Sequence, residues 1–307
     1  MELEGEDVKV LCGHGLIVPR ENAHLDIRTF SVVEARKRRR RWITHTAESN
    51  DLTKDEWSLL GKRSQRQDLV TPTVGKATSG VARSYATAID FAAWYHQFGL
   101  DPCDRMWYFT AEGKDWELTT IPTGSSFAPA LAQIFSVALC GWVKHHFPLI
   151  SSDTYIDNVR LLADDPGYLQ DALVCLYKIC ARLSVIINEP METALDIIRA
   201  RKYEFLGVVY DHSAKEVKLG DHICDRIAMA STIPRDKLQI LDVLAWYGRL
   251  SYASMVHRIS RAQFYHATKY LRRRVGRDLE APAHLWTSAW RDMVRWGQII
   301  LEMGWGR

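Results

Sequence analysis

The chain has 307 residues, 47% hydrophobic and 25% charged, a composition typical of a globular protein and not of a disordered one. The formal net charge is only +3, but the bases are clustered: six are consecutive at 36–41, and seven lie at 258–277 without an acidic residue. Such clusters attract polyanions. The chain has no apolar run of about 18 residues and no secretory signal at its acidic start, so we expect an intracellular protein, in the nucleus or cytoplasm, without a membrane partner.

Length and cysteine spacing limit the organisation further. The chain exceeds the roughly 150 residues of an average domain, which predicts two or three subdomains around one or two cores. Its six cysteines include no C-x-x-C pair. We therefore expect reduced, mostly packed thiols, and neither a zinc ribbon nor a disulfide framework.

The first quarter of the chain predicts a hairpin after an irregular start. Residues 1–29 have little periodicity and contain turn formers, which indicates an extended or loop-rich segment. Thr29–Val33 and Arg41–Thr46 are rich in β-branched and aromatic residues, so we expect two strands joined by a positively charged tip. The basic run is equally typical of a nuclear-localisation signal or a solvated turn. Residues 50–83 favour no single element.

The next segment predicts a strand, a hairpin and a helix. Residues 84–90 form a short apolar stretch that ends at Asp90, for which helix capping is the common alternative role. Residues 105–121 predict a second hairpin, with its turn near Gly113. From Ala128, apolar residues recur at helical spacing, which predicts an amphipathic helix.

The middle of the chain carries an acidic turn. The stretch Thr154–Asn158 lies between two apolar runs, Phe147–Ile150 and Val159–Leu162, which predicts two short strands joined by a tight turn. Asp and Asn tolerate the backbone angles of such a turn, so a plain hairpin corner explains them. The alternative is that a carboxylate is held on this rigid corner to bind a metal ion.

The last part changes from strands to helices. Leu169–Leu183 predicts an amphipathic helix, Val185–Ile187 a strand, and a hairpin follows with strands over Phe205–Tyr210 and Glu216–Leu219. Beyond it we expect helices, including one basic helix over 258–277. The tail is rich in tryptophan and predicts a helix that lacks its partner surface.

The order of these motifs resembles the reverse transcriptases of retroelements, over roughly residues 27–275. Asp90–Phe98, an Asp with Tyr five residues later and then His-Gln-apolar, is similar to the first catalytic motif of gypsy-type elements. Phe109–Gln133, with Pro-x-Gly and Ala-Pro-Ala-x-x-Gln, is similar to the second block. Tyr155–Asn158 resembles the Tyr-x-Asp-Asp hairpin, and Phe205–Gly207 resembles the block beside the primer grip.

Two further segments extend the resemblance. Arg41–Asn50 is similar to the finger motif whose Arg faces the incoming triphosphate. The Tyr-x-Asp-Asn ending and the segment Trp246–Ala253 resemble DIRS-like elements, VIPER in particular.

The resemblance implies an α+β protein with the right-hand polymerase fold: fingers, a palm with an antiparallel sheet, and a helical thumb. The expected boundaries are fingers at 1–83 with 99–128 returning to them, palm at 84–98 and 129–219, thumb at 220–275, and a C-terminal tail or the start of a connection at 276–307.

The activity implied is an RNA-directed DNA polymerase that acts on an RNA or DNA template with a primer and on dNTPs. Such phosphoryl transfer uses two divalent ions, here Mg²⁺ with Mn²⁺ as a substitute, and these hard ions take oxygen ligands. The expected ligands are Asp90, Asp157 and the main-chain oxygen of Phe91, and Asn158 completes the catalytic set. The oligomeric state does not follow from the sequence.

The resemblance also implies the substrate contacts. A ring at Tyr95 beneath the sugar would exclude a 2′-hydroxyl, with simple packing as the alternative, and a guanidinium suits phosphate. The expected nucleotide-binding residues are Lys37, Arg41, Tyr95, Thr123, Gly124 and Gln133. Basic residues of the thumb would grip the duplex backbone in a salt-sensitive way. The expected primer or template contacts are Tyr155, Leu206, Gly207, Arg258, Arg261, Lys269, Arg272 and Arg273.

The sequence departs from the family pattern in four places. Asn158 replaces the second Asp of the hairpin, and Thr123 stands where a larger residue is usual. Asn188–Met191 lacks the Lys that often follows the Leu-x-Leu-Asn strand, and no RNase H pattern follows residue 275. Two alternatives therefore stay open: a catalytically decayed or domesticated relative that binds nucleic acid, and an unrelated DNA-binding protein that uses the basic helix and hairpin alone.

Overall fold

The computed structural model describes residues 3–34, 39–50, 73–274 and 278–304. The strands are β1 Ile17–Pro19, β2 Leu25–Asp26, β3 Arg28–Glu34, β4 Arg39–His45, β5 Tyr85–Asp90, β6 Trp107–Ala111, β7 Lys114–Leu118, β8 Ser151–Tyr155, β9 Asn158–Ala163, β10 Lys202–Phe205, β11 Val208–Asp211 and β12 Glu216–Leu219. The helices with labels used below are α1 Gly5–Gly13, α2 Val74–Ser79, α3 Ala128–His146, α4 Pro166–Arg182, α5 Met191–Ala200, α6 Asp221–Thr232, α7 Ile240–His257, α8 Tyr265–Arg274 and α9 Thr287–Glu302.

The N-terminal part combines a sheet of order β1-β7-β6-β2 with a separate hairpin of β3 and β4. This hairpin confirms the two strands predicted around the basic run, whose tip at 35–38 lies outside the described residues. The extended or loop-rich segment predicted for 1–29 is wrong over Gly5–Gly13, because Glu4 and Asp7 form a capping box that begins α1, whereas short strands and loops follow it. Arg40 of β4 pairs with both carboxylates at 2.9 Å and fixes α1 against the hairpin.

The central sheet is antiparallel, of order β5-β9-β8, and α3 and α4 pack against it around a core that includes Leu161, Leu173 and Leu176. The middle strand β9 is buried from Val159 to Ala163, which explains the apolar residues on both sides of Arg160 in this strand. The first strand of its hairpin is Ser151–Tyr155, and the predicted strand Phe147–Ile150 is wrong.

The reason for this error is a buried ion pair. Asp153 of β8 lies opposite Arg160 of β9, and Arg160 is fully buried. The guanidinium Nε donates to Asp153 Oδ2 at 3.2 Å, and Nη2 donates to the Ala77 carbonyl at 2.7 Å. Because Asp153 and Arg160 are paired, the polar segment Ser151–Tyr155 forms the strand beside β9. The hydrophobic pattern had predicted that strand at Phe147–Ile150.

The segment after α4 also differs from the expectation. Ile187 forms a single bridge with Phe91, so the predicted strand Val185–Ile187 is reduced to one residue pair. Helix α5 was not predicted; its N-cap is Pro190, whose backbone is extended at φ −58° and ψ 149° and which the ring holds near this φ.

The C-terminal part joins the sheet β10-β11-β12 to helices α6 to α9 around a second large core. Trp296 of α9 stacks on Phe264 with ring centroids 4.5 Å apart, and Trp290 meets Trp246 of α7 at 5.4 Å. The tail helix therefore has its partner surface within the chain, contrary to the expectation. The aromatic residues that α9 packs against lie about 30 to 45 positions earlier, and periodicity alone could not pair them with it.

All six cysteines are free, and two of them, Cys140 and Cys180, are buried. Within the described ranges, no helix is both long and apolar enough to span a bilayer.

Candidate active site

The two predicted catalytic acids lie at one end of the central sheet. Strand β5 ends at Asp90, strand β9 begins at Asn158, and these two residues are opposite each other in the antiparallel register. The Phe91 N–H donates to the main-chain oxygen of Asp157 at 2.9 Å, so the acidic turn is tied to the end of β5. Directly opposed residues of antiparallel strands have Cα atoms about 5 Å apart, which brings Asp90 to the Asp157–Asn158 turn.

The other edge of β5 fixes Asp90 from behind. Its N–H donates to Glu189 Oε2 at 2.6 Å, and its carbonyl accepts from the Asn188 N–H at 2.8 Å. Gln97 holds the same segment, because its Oε1 accepts from the Ile186 N–H at 2.7 Å and its Nε2 donates to the Ile186 carbonyl at 2.9 Å. Glu189 thus supports the backbone of Asp90 at the place where a lysine was expected.

The turn itself is strained. Tyr155 and Asn158 pair across it, and Ile156 has φ +57°, whereas Asp157 keeps a negative φ, as in a type II′ turn. Glycine suits that first position, and a β-branched residue there costs on the order of 1–3 kcal/mol. The surrounding contacts must therefore hold Ile156 in place.

Gln133 of α3 supplies this support. Its Oε1 accepts from the Ile156 N–H at 2.6 Å, and its Nε2 donates to the carbonyl and Oγ1 of Thr154 at 3.2 and 3.0 Å. Ser136, one helical turn later, donates to the Ile156 carbonyl. Gln133 is 2% exposed, so its side chain positions the turn, and its expected part in shaping the nucleotide pocket stays a prediction.

Asn158 contacts Asp157 directly: its Nδ2 donates to Asp157 Oδ1 at 2.9 Å. An aspartate at 158 would instead place a second carboxylate beside Asp157, and like charges at that distance repel. Among the described residues, no three His, Cys, Asp or Glu side chains form a metal-binding cluster. The available donors are two carboxylates, the Asn158 amide oxygen and main-chain oxygen such as that of Phe91, all hard ligands that suit Mg²⁺.

Residues of the β3–β4 hairpin reach the same region. Trp42 stacks on His96 with ring centroids 5.0 Å apart. The pKa of His96 is lowered to about 4, mainly by its burial and in addition by the nearby positive charge of Arg41. Burial, then the charges of Asp157 and Tyr155, raise the pKa of Tyr95, while Arg41 lowers it. The structure therefore brings Tyr95 and the exposed Arg41 close to the acidic turn. Lys37 lies outside the described residues.

The loop at Thr123–Gly124 is fastened to β4. Thr123 Oγ1 lies 3.0 Å from Thr44 Oγ1, and Asn50 Nδ2 donates to the Gly124 carbonyl at 3.0 Å. A Cβ at Gly124 would lie 2.3 Å from the Thr44 carbonyl oxygen, so only glycine allows this approach. Gly124 therefore allows the loop to pack against β4. Thr123 is partly exposed.

The turn between β10 and β11 approaches the acidic turn across an apolar cavity. Leu206 and Gly207 form this turn, and Leu206 shares with Tyr155 the lining of a cavity of about 240 Å³. Tyr155 is 40% exposed, so its ring is accessible at the cavity mouth. Three of the expected primer or template contacts, Tyr155, Leu206 and Gly207, are thus neighbours.

The expected basic helix is divided among three elements, so that prediction is wrong. Arg258 ends α7 in a left-handed conformation at φ +57°, Arg261 begins a short 3₁₀ turn, and the cations at 269 and 272–274 lie on α8, whereas 275–277 lie outside the described residues. A left-handed residue cannot continue a helix, which explains the break. Lys269 lies with its Nζ 5.4 Å from the centre of the Tyr265 ring, and Arg258, Arg261, Arg272 and Arg273 are exposed.

Sequence reasoning missed the buried support of this site. The Arg160–Asp153 pair lies two residues from each side of the acidic turn, and Arg160 also donates to the Tyr203 hydroxyl at 3.3 Å. Burial opposes the guanidinium charge, but Tyr203, Tyr210 and Asp153 raise the pKa of Arg160 overall. An arginine within an apolar strand was the available signal.

Comparison with known proteins supports the fold. No family model matches the chain, and no curated protein matches it. Solved structures of foamy viral protease-reverse transcriptase are similar: the dRH form with double-stranded DNA (TM-score 0.65, 14% identity), the protein with RNA/DNA hybrid (0.65, 14%) and the protein with dsDNA (0.63, 16%).

These similarities cover 98%, 97% and 97% of this chain but only 48%, 36% and 55% of those proteins, so the chain spans between about a third and just over half of their length. Identities this low establish the fold alone. The α+β right-hand fold predicted from the motif order is confirmed, and the chain has the fold of reverse transcriptases.

Proposed function

We propose that this chain is the RNA-directed DNA polymerase of a retrotransposon of the gypsy or DIRS-like kind, closest to VIPER-type elements, and that it extends a primer with deoxynucleotides. The observation that carries the proposal is the register that places Asp90 opposite Asn158, beside Asp157, at one end of the central sheet. The expected fingers, palm and thumb boundaries belong to the same proposal.

The acids would hold two divalent ions. Asp90 and Asp157, with the main-chain oxygen of Phe91, offer oxygen donors from the ends of two paired strands. Bound there, Mg²⁺ or Mn²⁺ would lower the pKa of the primer 3′-hydroxyl and offset charge on the triphosphate. The chain's part is to fix these oxygens: Gln133 holds the turn, and the 186–189 segment holds Asp90. The new bond joins the primer 3′ oxygen to the α-phosphorus, and pyrophosphate leaves.

Residues from the β3–β4 hairpin and the following palm segment would hold the nucleotide. Arg41 is exposed, and its charge acts on both Tyr95 and His96, so an incoming triphosphate would meet a guanidinium next to Tyr95. The Tyr95 ring would then lie against the sugar and disfavour a 2′-hydroxyl. Lys37, Thr123, Gly124 and Gln133 complete the proposed nucleotide site.

The primer and template would be held by the turns at Tyr155 and Leu206–Gly207 and by exposed cations of the last helices. The similar foamy viral structures contain dsDNA or RNA/DNA hybrid, which supports a duplex partner for this chain. Contacts from Arg258, Arg261, Lys269, Arg272 and Arg273 would be made to phosphates and would be independent of sequence.

The test is primer extension on an RNA template with Mg²⁺. We expect incorporation of dNTP by the wild type and its loss in Asp157→Ala. Asp171→Asn, an exposed acid on α4, is the matched control and should extend normally. No incorporation by the wild type, or full incorporation by Asp157→Ala, would contradict the proposal.

A second candidate is a decayed or domesticated relative that binds nucleic acid without synthesis. Two observations favour it: the Asn158 amide occupies one oxygen of Asp157, and Glu189 replaces a lysine beside Asp90. Under this candidate, duplex binding would be salt-sensitive and unaffected by Asp157→Ala, and no condition would yield extension.

A further inference from the structure

The turn between β10 and β11 has a conformation that needs outside support. Phe205 and Val208 pair across a two-residue loop in which Leu206 has φ +52° and Gly207 has φ +74°. Two positive φ values are the signature of a type I′ turn, which favours Asn or Gly at the first position. Leucine is unfavourable there, so surrounding contacts must stabilise the turn.

Two of these contacts come from the start of α6. The Gly220 N–H donates to the Gly207 carbonyl at 2.8 Å. A Cβ at Gly207 would lie 2.6 Å from Ile223 Cδ1, so the glycine is packed closely against that side chain. These contacts fix Gly207, and neither of them involves the Leu206 carbonyl.

The Leu206 carbonyl accepts a hydrogen bond from the hydroxyl of Tyr252 of α7. Burial, followed by the neighbouring Tyr210, Glu204 and Tyr155, raises the pKa of Tyr252, so the hydroxyl stays protonated and remains a donor. The helix that carries it is rigidly packed, because Ser251, Ala253 and Ser254 around it are buried. The hydrogen bond therefore joins the helical C-terminal part to the strained turn.

Tyr252 also faces the acidic turn. Its side chain lines the cavity of about 240 Å³ whose wall includes Tyr155 and Leu206. Tyr252 thus contacts one turn by a hydrogen bond and borders the cavity that separates it from the other. No other aromatic side chain among those lining this cavity comes from helix α7.

We propose that Tyr252 is a positioning residue that sets the spacing between the Leu206–Gly207 turn and Tyr155, and so places the primer 3′ end against Asp90 and Asp157. This inference rests on the proposed polymerase function. Loss of the hydroxyl would let the turn relax, because the strained Leu206 would lose its described side-chain partner. The primer end would then sit less often in line with the α-phosphorus.

The variant Tyr252→Phe removes the hydroxyl and keeps the ring in the cavity. In single-turnover incorporation of one dNTP we expect the rate to fall about 3- to 10-fold, the effect of one net hydrogen bond. The Kd for primer–template should change less than about 2-fold, because backbone cations dominate that affinity. If Tyr252 had only a structural role, Tyr252→Phe would lower stability, and the incorporation rate and the affinity for primer–template would change by similar factors.

Tyr247→Phe is the matched control on the same helix. Its hydroxyl lies 3.0 Å from Thr268 Oγ1 of α8, away from the cavity lining. We expect it to lower thermal stability by an amount similar to Tyr252→Phe and to leave the incorporation rate unchanged. Equal rate losses in both variants, or none in Tyr252→Phe, would overturn the inference.

A readout without chemistry separates this inference from the polymerase proposal. With 2-aminopurine at the primer 3′ terminus, we expect the fluorescence of the bound duplex to change in Tyr252→Phe and not in Tyr247→Phe. If wild type incorporates no dNTP, the polymerase proposal fails and the fluorescence alone decides the positioning role. Identical fluorescence in wild type and Tyr252→Phe would overturn it.

Discussion

The Asn158 side-chain amide donates a hydrogen bond to Asp157 Oδ1 at 2.9 Å. This contact gives the Asp157 carboxylate one hydrogen-bond donor without adding a positive charge to the site. It also fixes the orientation of Asp157, directly before the first residue of β9. Asn158 is therefore a hydrogen-bond partner of Asp157, and it also removes one negative charge relative to the family pattern.

Asn158→Asp tests this relationship. The new carboxylate would face Asp157 and repel it, so we expect a lower melting temperature without metal and recovery of that loss when millimolar Mg²⁺ is added. Primer extension should rise at the same time. Thermal melts with and without Mg²⁺, with Asp171→Asn as control, measure the effect. A melting temperature that does not depend on Mg²⁺ in Asn158→Asp would argue against a metal beside Asp157.

Gln133→Ala tests the support of the acidic turn. The change leaves the Ile156 N–H without its acceptor and the Thr154 carbonyl without its donor, and we expect a loss of about 1–3 kcal/mol in the free energy of unfolding. The incorporation rate should fall more than the duplex affinity. Urea denaturation and single-turnover kinetics measure both. Gln133→Glu, which keeps the acceptor for Ile156, should lie between wild type and Gln133→Ala; a fully stable Gln133→Ala would contradict the positioning role.

His96 predicts a specific pH dependence of stability. Its pKa is lowered from the ordinary 6.5 to about 4, chiefly by burial, so the unfolded chain binds a proton there more tightly than the folded one. The stabilisation is complete above pH 6.5 and is lost as the pH falls toward 4. His96→Phe keeps a ring against Trp42 and removes the titration, so its stability should fall less steeply between pH 6.5 and 4.

Urea midpoints at several pH values measure this difference. The exposed His145, changed to Phe, is the control and should follow the wild-type slope. Parallel slopes in wild type and His96→Phe would show that His96 titrates in the folded state as it does in the unfolded one.

Asp292 of α9 links the tail helix to the basic helix α8 by two hydrogen bonds. Its Oδ2 accepts from the N–H groups of His266 and Ala267 at 2.8 and 3.3 Å, at the first turn of α8. Asp292→Ala should cost about 0.5–2 kcal/mol and weaken duplex binding, because α8 carries Lys269, Arg272 and Arg273. Asp292→Asn retains an acceptor and should bind nearly as wild type. Fluorescence anisotropy with a labelled duplex distinguishes the two.

Local patterns were sufficient for much of the site. The strand that ends at Asp90, the strand β9 after the acidic turn and the helix from Ala128 each depend on neighbouring residues, and each was predicted correctly. The right-hand fold followed from the order of these motifs. Short-range chemistry thus predicted which residues lie at strand ends.

The remaining features depend on partners that are distant in sequence. The polar strand β8 requires Arg160 to pair with Asp153, and the role of Gln133 depends on its contact with Ile156, 23 residues later. The helix α9 requires the aromatic groups of α7 and of the turn before α8. Sequence periodicity reports the exposure of a face, and it does not identify which distant residue covers that face.

The proposed polymerase function requires that Asp90 and Asp157 together bind divalent metal ions. The most direct measurement is Mn²⁺ binding by electron paramagnetic resonance, in a complex with a dideoxy-terminated primer on an RNA template and the next dNTP. We expect two tightly bound ions per complex in the wild type, and fewer in Asp90→Asn and in Asp157→Asn. The same Mn²⁺ stoichiometry and affinity in wild type and both variants would contradict the claim.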